Sequence, residues 1–474
     1  MNWYLISPQL SLGALALLVV LLDLFIREKR LLAVVGALGL AVPFGFAVSL
    51  WGHEEATLYG RLAVDGFSLF FCFLFLGIAF LTLLYSTDYL PRMPGRHGEY
   101  YALILLSTTG FTLLAAAREL ISIYLALELS SLPLYALAAF LRDEKSTEAG
   151  IKYLLLGAIA SAVLLYGMAL VFGLTGRTGL SEIAQALAAG GIREPALLFG
   201  VVLLIAGFGF KIASIPFHWW VPDVYEGAPT PVTAYISVGS KAAGFAAILR
   251  VFYEAFGQPG WLASDWSLTI AVLSALTMTL GNVVAIWQGN IKRLLGYSGI
   301  ANAGYIMVGL AAASSLGRSG VLFFLAAYTL ANVGAFAAVI AISNKLESDL
   351  IEDYSGMARR APVLSLILAL CLISLTGIPP TAGFMAKLYV FNAGVQAGLL
   401  WLVIIGVINS VISAYYYLRV VKVMFLNQPA SEEGVPSSIP LRTVLFITAL
   451  GVLLLGVFPY GLLHLAEKAI LLLP

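Results

Sequence analysis

Four ionisable side chains stand inside apolar sequence. Glu128 lies in Leu-Ala-Leu-Glu-Leu-Ser-Ser-Leu, and Lys211 in Phe-Gly-Phe-Lys-Ile-Ala-Ser-Ile-Pro. Lys241 lies in Ser-Val-Gly-Ser-Lys-Ala-Ala-Gly-Phe, and Lys387 follows Ile378-Pro-Pro-Thr-Ala-Gly-Phe-Met-Ala. A charge at membrane depth costs several kcal/mol and is retained chiefly for function. The chemistry on offer is proton exchange. Desolvation lowers a lysine pKa and a nearby carboxylate raises it, so a lysine in such a setting switches its proton as a carboxylate approaches or withdraws. Glu128 is the expected partner of Lys211, with Lys241 and Lys387 as further stations on a lateral proton wire.

Other groups leave two readings open. Glu148 and Lys152 are spaced i, i+4, which suits a helix-surface ion pair as well as a relay. His218 follows Pro216, where an imidazole can shuttle protons or sit at an interface. His53, His97 and His464 fall in or near loops and read as solvated. No histidine–carboxylate cluster has metal-ligand spacing. Asp223 and Glu226 read as parts of a re-entrant turn punctuated by Gly227, Pro229 and Pro231. Cys72 and Cys371 stand alone in apolar runs as small buried hydrophobes. Neither a C-x-x-C or haem motif nor a G-x-G-x-x-G fingerprint is present, so the sequence offers no cluster, haem or dinucleotide site of its own.

The elements that must position these residues are membrane spans. The chain has 474 residues, 61% hydrophobic and 11% charged, where a soluble domain is about 45–50% apolar and about 25% charged. The fold class is an all-α polytopic membrane protein. Net charge is +1, which gives no bulk attraction to nucleic acid; the lipid bilayer is the evident surrounding. About fourteen stretches reach the roughly 20 residues a span needs: 4–26, 31–51, 66–89, 99–116, 120–141, 149–173, 196–216, 230–253, 267–288, 293–313, 319–342, 362–396, 399–425 and 440–466. The first lacks a basic leader and reads as a retained span. Trp3, Trp51, Trp219, Trp220, Trp261, Trp266, Trp287 and Trp401 fall near span ends, as an interfacial belt would place them. Leu180 to Ala188 reads as one short amphipathic helix.

One side collects Arg27, Lys29, Arg30, Arg92, Arg96, Arg142, Lys145, Lys292, Arg293, Lys345, Arg359 and Arg360. The other holds Arg61, Arg118, Arg177, Arg193 and Arg318. The richer side is expected to be cytoplasmic, with both termini facing outward.

The middle of the chain repeats. Glu148-Ala-Gly-Ile-Lys-Tyr matches Arg318-Ser-Gly-Val-Leu-Phe; Lys211-Ile-Ala-Ser-Ile-Pro matches Ser374-Leu-Thr-Gly-Ile-Pro; Ser240-Lys241 with Arg250 matches Asn409-Ser410 with Arg419. Two five-span units follow, near 99–253 and 267–425, and an odd number of spans makes them inverted. The divisions expected are 1–95, 96–255, 256–426 and 427–474. Pro216 frees the carbonyl of Ile212, and Pro379 and Pro380 free those of Leu375 and Thr376. A freed carbonyl beside Lys211 is expected to solvate its ammonium.

The run from Phe210 to Val232, with Ser-Val-Gly-Ser-Lys241-Ala-Ala-Gly-Phe after it, resembles the antiporter-like membrane subunits of respiratory complex I. Val64-Asp-Gly-Phe-Ser-Leu-Phe-Phe and Glu148-Ala-Gly-Ile-Lys152-Tyr-Leu-Leu-Leu-Gly-Ala are similar to it as well. The likeness covers about residues 60–425. It implies two inverted half-channels, with Glu128, Lys211, Lys241 and Lys387 on a proton path and Glu148, Lys152, His218 and Lys292 as further relay candidates. It implies partner membrane and peripheral subunits of a proton-translocating NADH:quinone oxidoreductase in a bacterial-type inner membrane. NADH, FMN, iron–sulfur clusters and quinone would then belong to the complex, with no cofactor in this chain. A lysine at 387, and an end at Pro474 soon after the last span, select among the paralogues. Asn302 stands where related subunits often have histidine and cannot carry a proton, so a path there would use water or Lys292. The alternatives are a subunit of a multi-subunit cation/proton antiporter, of a related hydrogenase or ferredoxin–quinone complex, or a structural spacer without a proton path.

Overall fold

The computed structural model describes residues 2–93, 95–190, 195–257, 260–429 and 431–470. Arg193 and Pro474 lie outside the described residues, as does the side chain of Trp261. Thirteen helices among the described residues are long and apolar enough to cross a membrane. The apolar run 362–396 is split into Pro362–Thr376 and Ala382–Gln396, with Gly377 in the left-handed region and Pro379–Pro380 between the halves. The chain is an all-α polytopic membrane protein.

Polar residues at several span starts hold exposed N–H groups of the first turn. Asp65 accepts from Ser68 N at 2.8 Å while Ser68 Oγ accepts from Asp65 N, a reciprocal cap before Gly66–Ser86. Asp143 caps Glu144–Thr175, Asn290 caps Ile291–Ala311 and Ser314 caps Ser315–Leu346. The short helix expected after Leu180 is present as Leu180–Gly190.

Three details depart from the sequence reading. Residues 52–65 hold an antiparallel ribbon, Glu55–Thr57 against Leu62–Val64, too short to leave a readable alternation. Trp220 and Trp266 are buried rather than interfacial. Their indole N–H groups donate to Phe210 O (3.1 Å) and Phe256 O (3.0 Å), and satisfying that one donor allows the large ring into the core. Asp223 and Glu226 stand on a helix, Trp220–Gly227. Pro222 is tolerated in its first turn because the N–H it lacks would be unpaired there.

Two sets of five crossings repeat each other in detail. The first is His97–Ala116, Leu120–Ala138, Glu144–Thr175, Pro195–Ile212 with its broken end, and Thr230–Ala255. The second is Gly260–Ala285, Ile291–Ala311, Ser315–Leu346, the split pair, and Leu400–Leu426. Leu120 N donates to Thr178 O and Leu180 N to Arg118 O, each at 2.9 Å. In the second set Ile291 N donates to Asp349 O at 2.8 Å and Ile351 N to Gly289 O at 2.9 Å. The Arg250 guanidinium donates to Ala115 O (3.0 Å) and that of Arg419 to Ile286 O (2.9 Å). A Cβ added at Gly110 would lie 2.5 Å from Ser130 N, and one at Gly281 would lie 2.7 Å from Ala301 N. In all these pairs except the two arginines, the same number of residues separates a position from its counterpart. In that register Gly299 answers to Glu128 and Asn302 to Ser131.

Candidate functional site

Lys211 ends the helix Pro195–Ile212 and is 4% exposed. Its Nζ donates to Ser131 Oγ at 2.8 Å, and the Ser131 hydroxyl donates in turn to Leu127 O at 2.6 Å. Glu128 sits one turn earlier on the same helix, half-buried, and accepts from Ser161 Oγ. Glu128 and Lys211 are thus gathered at one helix turn with a hydroxyl beside each. They form no direct ion pair among the described residues.

The ammonium of Lys211 takes a hydroxyl rather than the Ile212 carbonyl. Side chains on a helix lean toward its N-terminus. Lys211, at the end of its half-helix, therefore leans away from the break. Lys387 stands six residues into Ala382–Gln396 and leans back toward the break. Its Nζ donates to Thr376 O at 2.8 Å, a carbonyl freed by Pro380, and to Ser410 Oγ at 3.0 Å. The carbonyl solvation expected at Lys211 is therefore absent there and occurs instead at Lys387.

Lys241 lies between these two on Thr230–Ala255, a span buried throughout. Its Nζ donates to Gly299 O and lies 5.3 Å from the Tyr328 ring centre. Gly244, nearly one turn on, faces Lys211: a Cβ there would lie 3.2 Å from Lys211 Cγ. From Lys241 a polar tract runs through the second set of helices. Ser298, beside Gly299, shares a hydrogen bond with Tyr417 OH, and the Tyr416 and Tyr417 rings are 4.4 Å apart. Tyr416 OH donates to Asn282 Oδ1, and Asn282 Nδ2 donates to Tyr305 OH, both at 3.0 Å. The Tyr305 ring centre lies 4.2 Å from Lys387 Nζ, a cation–π contact. Asn302 donates to Ser298 O at 2.9 Å and so borders this tract.

The remaining candidates lie elsewhere. Lys152 bridges Glu148 (2.6 Å) and Asp223 (2.7 Å), and Arg293 bridges Asp223 and Glu226, both at 3.0 Å. These charges tie the third helix of the first set to the second helix of the other. Lys292 donates to Glu226 O (2.6 Å) and Ala228 O (3.0 Å), closing the chain reversal after Gly227. His218 lies in the break, against Trp219, with Nδ1 buried and unpartnered.

Sequence reasoning missed the tyrosines of the tract and a buried ion cluster. Arg250 binds Asp65 through both terminal nitrogens (2.8 Å each) and Glu254 at 2.9 Å. Glu254 also accepts from Arg118 Nε at 2.9 Å. The i, i+4 spacing of Arg250 and Glu254 was a readable signal. The partnership with Asp65 was not, because its members are far apart in sequence.

Residues 117–413 match the family described as "NADH:quinone oxidoreductase/Mrp antiporter, TM". A protein of Dehalococcoides mccartyi named NADH-quinone oxidoreductase subunit N is 46% identical over 477 residues, 98% of each chain. One of the same name from Trichlorobacter lovleyi is 45% identical over all of this chain and 98% of its own. A chain in the structure of respiratory complex I from Thermus thermophilus with bound aureothin superposes with a TM-score of 0.81 at 34% identity, covering 97% of this chain and 99% of that one. A chain of this sequence, with Lys211, Lys241 and Lys387 buried on two repeated helix sets, belongs to the NADH-quinone oxidoreductase subunit N family.

Proposed function

We propose that the chain is the proton-translocating, non-redox membrane subunit of an NADH:quinone oxidoreductase, a translocase whose electron transfer runs in partner subunits. The observation that carries this reading is the string of buried lysines. Lys211, Lys241 and Lys387 each keep an ammonium-bearing side chain inside the bundle, and hydroxyls, amides and carbonyls lie along the way between them. Among the described residues, Tyr328 OH and Asn332 Oδ1 are buried without a hydrogen-bond partner. In proteins such groups are satisfied by water, which carries protons.

Glu128, Lys211, Lys241 and Lys387 are the proposed carriers. Glu128 with Ser131 and Ser161 forms one terminus, and Lys387 beside the second break forms the other. Residues 96–255 and 256–426 are the proposed half-channel units, between 1–95 and 427–474. Lys152, Glu148 and Lys292 hold the two units together at one face, and His218 is a candidate entry group at the first break. Two buried cysteines, Cys72 and Cys371, cannot supply the four thiolates of an iron–sulfur cluster. The clusters therefore fall to other subunits of the complex, and we assign FMN, NADH and quinone to those subunits as well.

The membrane is a bacterial-type inner membrane, with both termini outward. Support comes from the basic loops meeting at one face: Arg92 donates to Asn344 O (2.9 Å) and Lys345 pairs with Glu433 (2.7 Å).

The test is proton uptake by the reconstituted complex during NADH oxidation, in Lys211→Ala, Lys241→Ala and Lys387→Ala. Loss of uptake in assembled complex supports the reading. Full uptake in all three would leave a structural spacer. Cation-driven proton exchange without any NADH-oxidising partner would place the chain among the antiporters.

A further inference from the structure

A groove of about 460 Å³ opens between the helices Pro362–Thr376 and Ile439–Val457, at the opposite end of the first helix from the Thr376 carbonyl that holds Lys387. Its walls carry Arg360, Val363 and Ile367 on one side and Arg442, Phe446 and Ala449 on the other. Arg442, Phe446 and Ala449 step along one face of Ile439–Val457, while Val363 and Ile367 share a face of Pro362–Thr376 and Arg360 ends the short helix Met357–Arg360 just before it. Each series begins with an arginine, and both arginines stand at the same end. Below them the walls are apolar, with Val363 and Phe446 each 66% exposed.

The two guanidinium groups are anchored and aimed. Arg360 Nε donates to Glu433 O at 2.8 Å, and Arg442 Nε donates to Ser437 Oγ at 3.0 Å. Among the described residues neither arginine makes an ion pair, and their terminal nitrogens have no hydrogen-bond acceptor. Glu433, whose backbone holds Arg360, gives its carboxylate to Lys345 at 2.7 Å. Both helices begin at this end, which adds positive N-terminal dipoles to the two charges. The shape is that of an amphiphile: a cationic fork suited to a phosphodiester, then an apolar slot running along the spans.

We propose that this groove binds one anionic glycerophospholipid, its phosphate between Arg360 and Arg442 and an acyl chain along Val363, Ile367 and Phe446. A basic pocket between spans on the side richer in lysine and arginine is where anionic headgroups are held. The occupant is a lipid rather than free phosphate because the arginines lead into an apolar slot, and a small anion would leave that slot unused.

The test is native mass spectrometry of the full chain, released with its partners from nanodiscs of phosphatidylglycerol mixed with phosphatidylcholine. Retained phosphatidylglycerol is expected, with retention falling roughly thirtyfold in Arg360→Gln/Arg442→Gln, given the attraction of each arginine for anionic lipid. Arg359→Gln, an exposed arginine outside the groove, should retain it. Val363→Trp, which fills the slot and leaves both charges, should lose it. Equal retention of phosphatidylcholine, or unchanged retention in the double variant, would overturn the proposal. So would displacement of phosphatidylglycerol by millimolar inorganic phosphate in wild type and Val363→Trp alike, which marks a free-anion site. A photo-crosslinker at position 446 that captured a polypeptide instead of lipid would also overturn it.

Discussion

Arg250 is fully buried and holds Asp65, the cap of the third span, by two contacts of 2.8 Å. Replacing it by methionine keeps most of the apolar bulk against Phe67, whose ring lies 4.8 Å from the guanidinium. It leaves Asp65 charged, with only Ser68 to bind. Glu254 suffers less, because Arg118 still donates to it at 2.9 Å. Removing one partner of a buried pair costs about 3–5 kcal/mol. One kcal/mol shifts melting by about 2–4 °C in chains of 150–250 residues and by less in longer ones, so Arg250→Met should lower the melting temperature by roughly 5 °C. Asp65→Asn in the same background should recover most of that loss. Asparagine caps a helix about as well as aspartate, and no unpaired charge remains at that position. The assay is a thermal melt of the purified assembly, following loss of the folded chain, over the four variants of a double-mutant cycle. If Asp65→Asn fails to rescue Arg250→Met, charge pairing is not what the arginine supplies, and its packing or its bond to Ala115 O takes its place.

At the second break, a Cβ on Gly383 would lie 1.8 Å from Ser374 O. Gly383→Ala should therefore displace the half-helix carrying Lys387, lowering proton uptake in reconstituted vesicles while Lys387 itself is intact. Gly110→Val should disturb the crossing against Ser130, one residue from the lysine-binding Ser131, and reduce the yield of folded chain in membranes. Ser131→Ala removes the one hydrogen-bond acceptor of Lys211 among the described residues, where an unsatisfied buried group costs about 1–3 kcal/mol, and should shift the pH profile of proton uptake where Ser131→Thr does not. Outside the membrane, the hydrogen bond from Lys345 holds the Glu433 carboxyl below the usual range. A carboxyl lowered by folding stabilises above its unfolded value of about 4.3 and stops doing so as pH falls through its folded value. Limited proteolysis near Glu433 should accelerate below about pH 4, and Glu433→Gln should abolish that dependence.

The spans were legible because long apolar runs leave little choice in a bilayer, and the breaks because Pro216, Pro379 and Pro380 remove backbone donors. The buried lysines were legible because a lone charge in such a run is conspicuous. What stayed hidden was orientation and partnership. Which way Lys211 leans depends on its place at the end of a half-helix, which fixes Ser131 and excludes the Ile212 carbonyl. Tyr305, Tyr416 and Tyr417 look like ordinary apolar-compatible residues in sequence, and only the packing of separate helices turns them into a tract. Trp220 and Trp266 read as interfacial because the carbonyls that satisfy their indoles cannot be seen from the spacing.

The two helix sets share a backbone register but not a charge pattern, and the difference bears on direction. In the first set Glu128 and Ser131 face Lys211 across one turn. In the second, Gly299 and Asn302 occupy those places, so no carboxylate stands there. Lys241 instead takes the Gly299 carbonyl, a fixed dipole that solvates an ammonium without titrating. A proton on Lys211 therefore feels a neighbour whose charge can change, whereas among the described residues Lys241 and Lys387 hydrogen-bond only neutral groups. If the proposed proton path holds, charge movement at Glu128 would be the trigger at one end of the string, and the lysines beyond it would respond to one another by repulsion. On this reasoning Gly299→Glu would place a carboxylate beside Lys241 and trap its proton. Proton uptake should then stop even with Glu128, Lys211 and Lys387 all present, while Gly299→Gln, of nearly equal bulk, should be less severe. Equal loss in both variants would assign the defect to crowding against Tyr328 and remove the electrostatic argument.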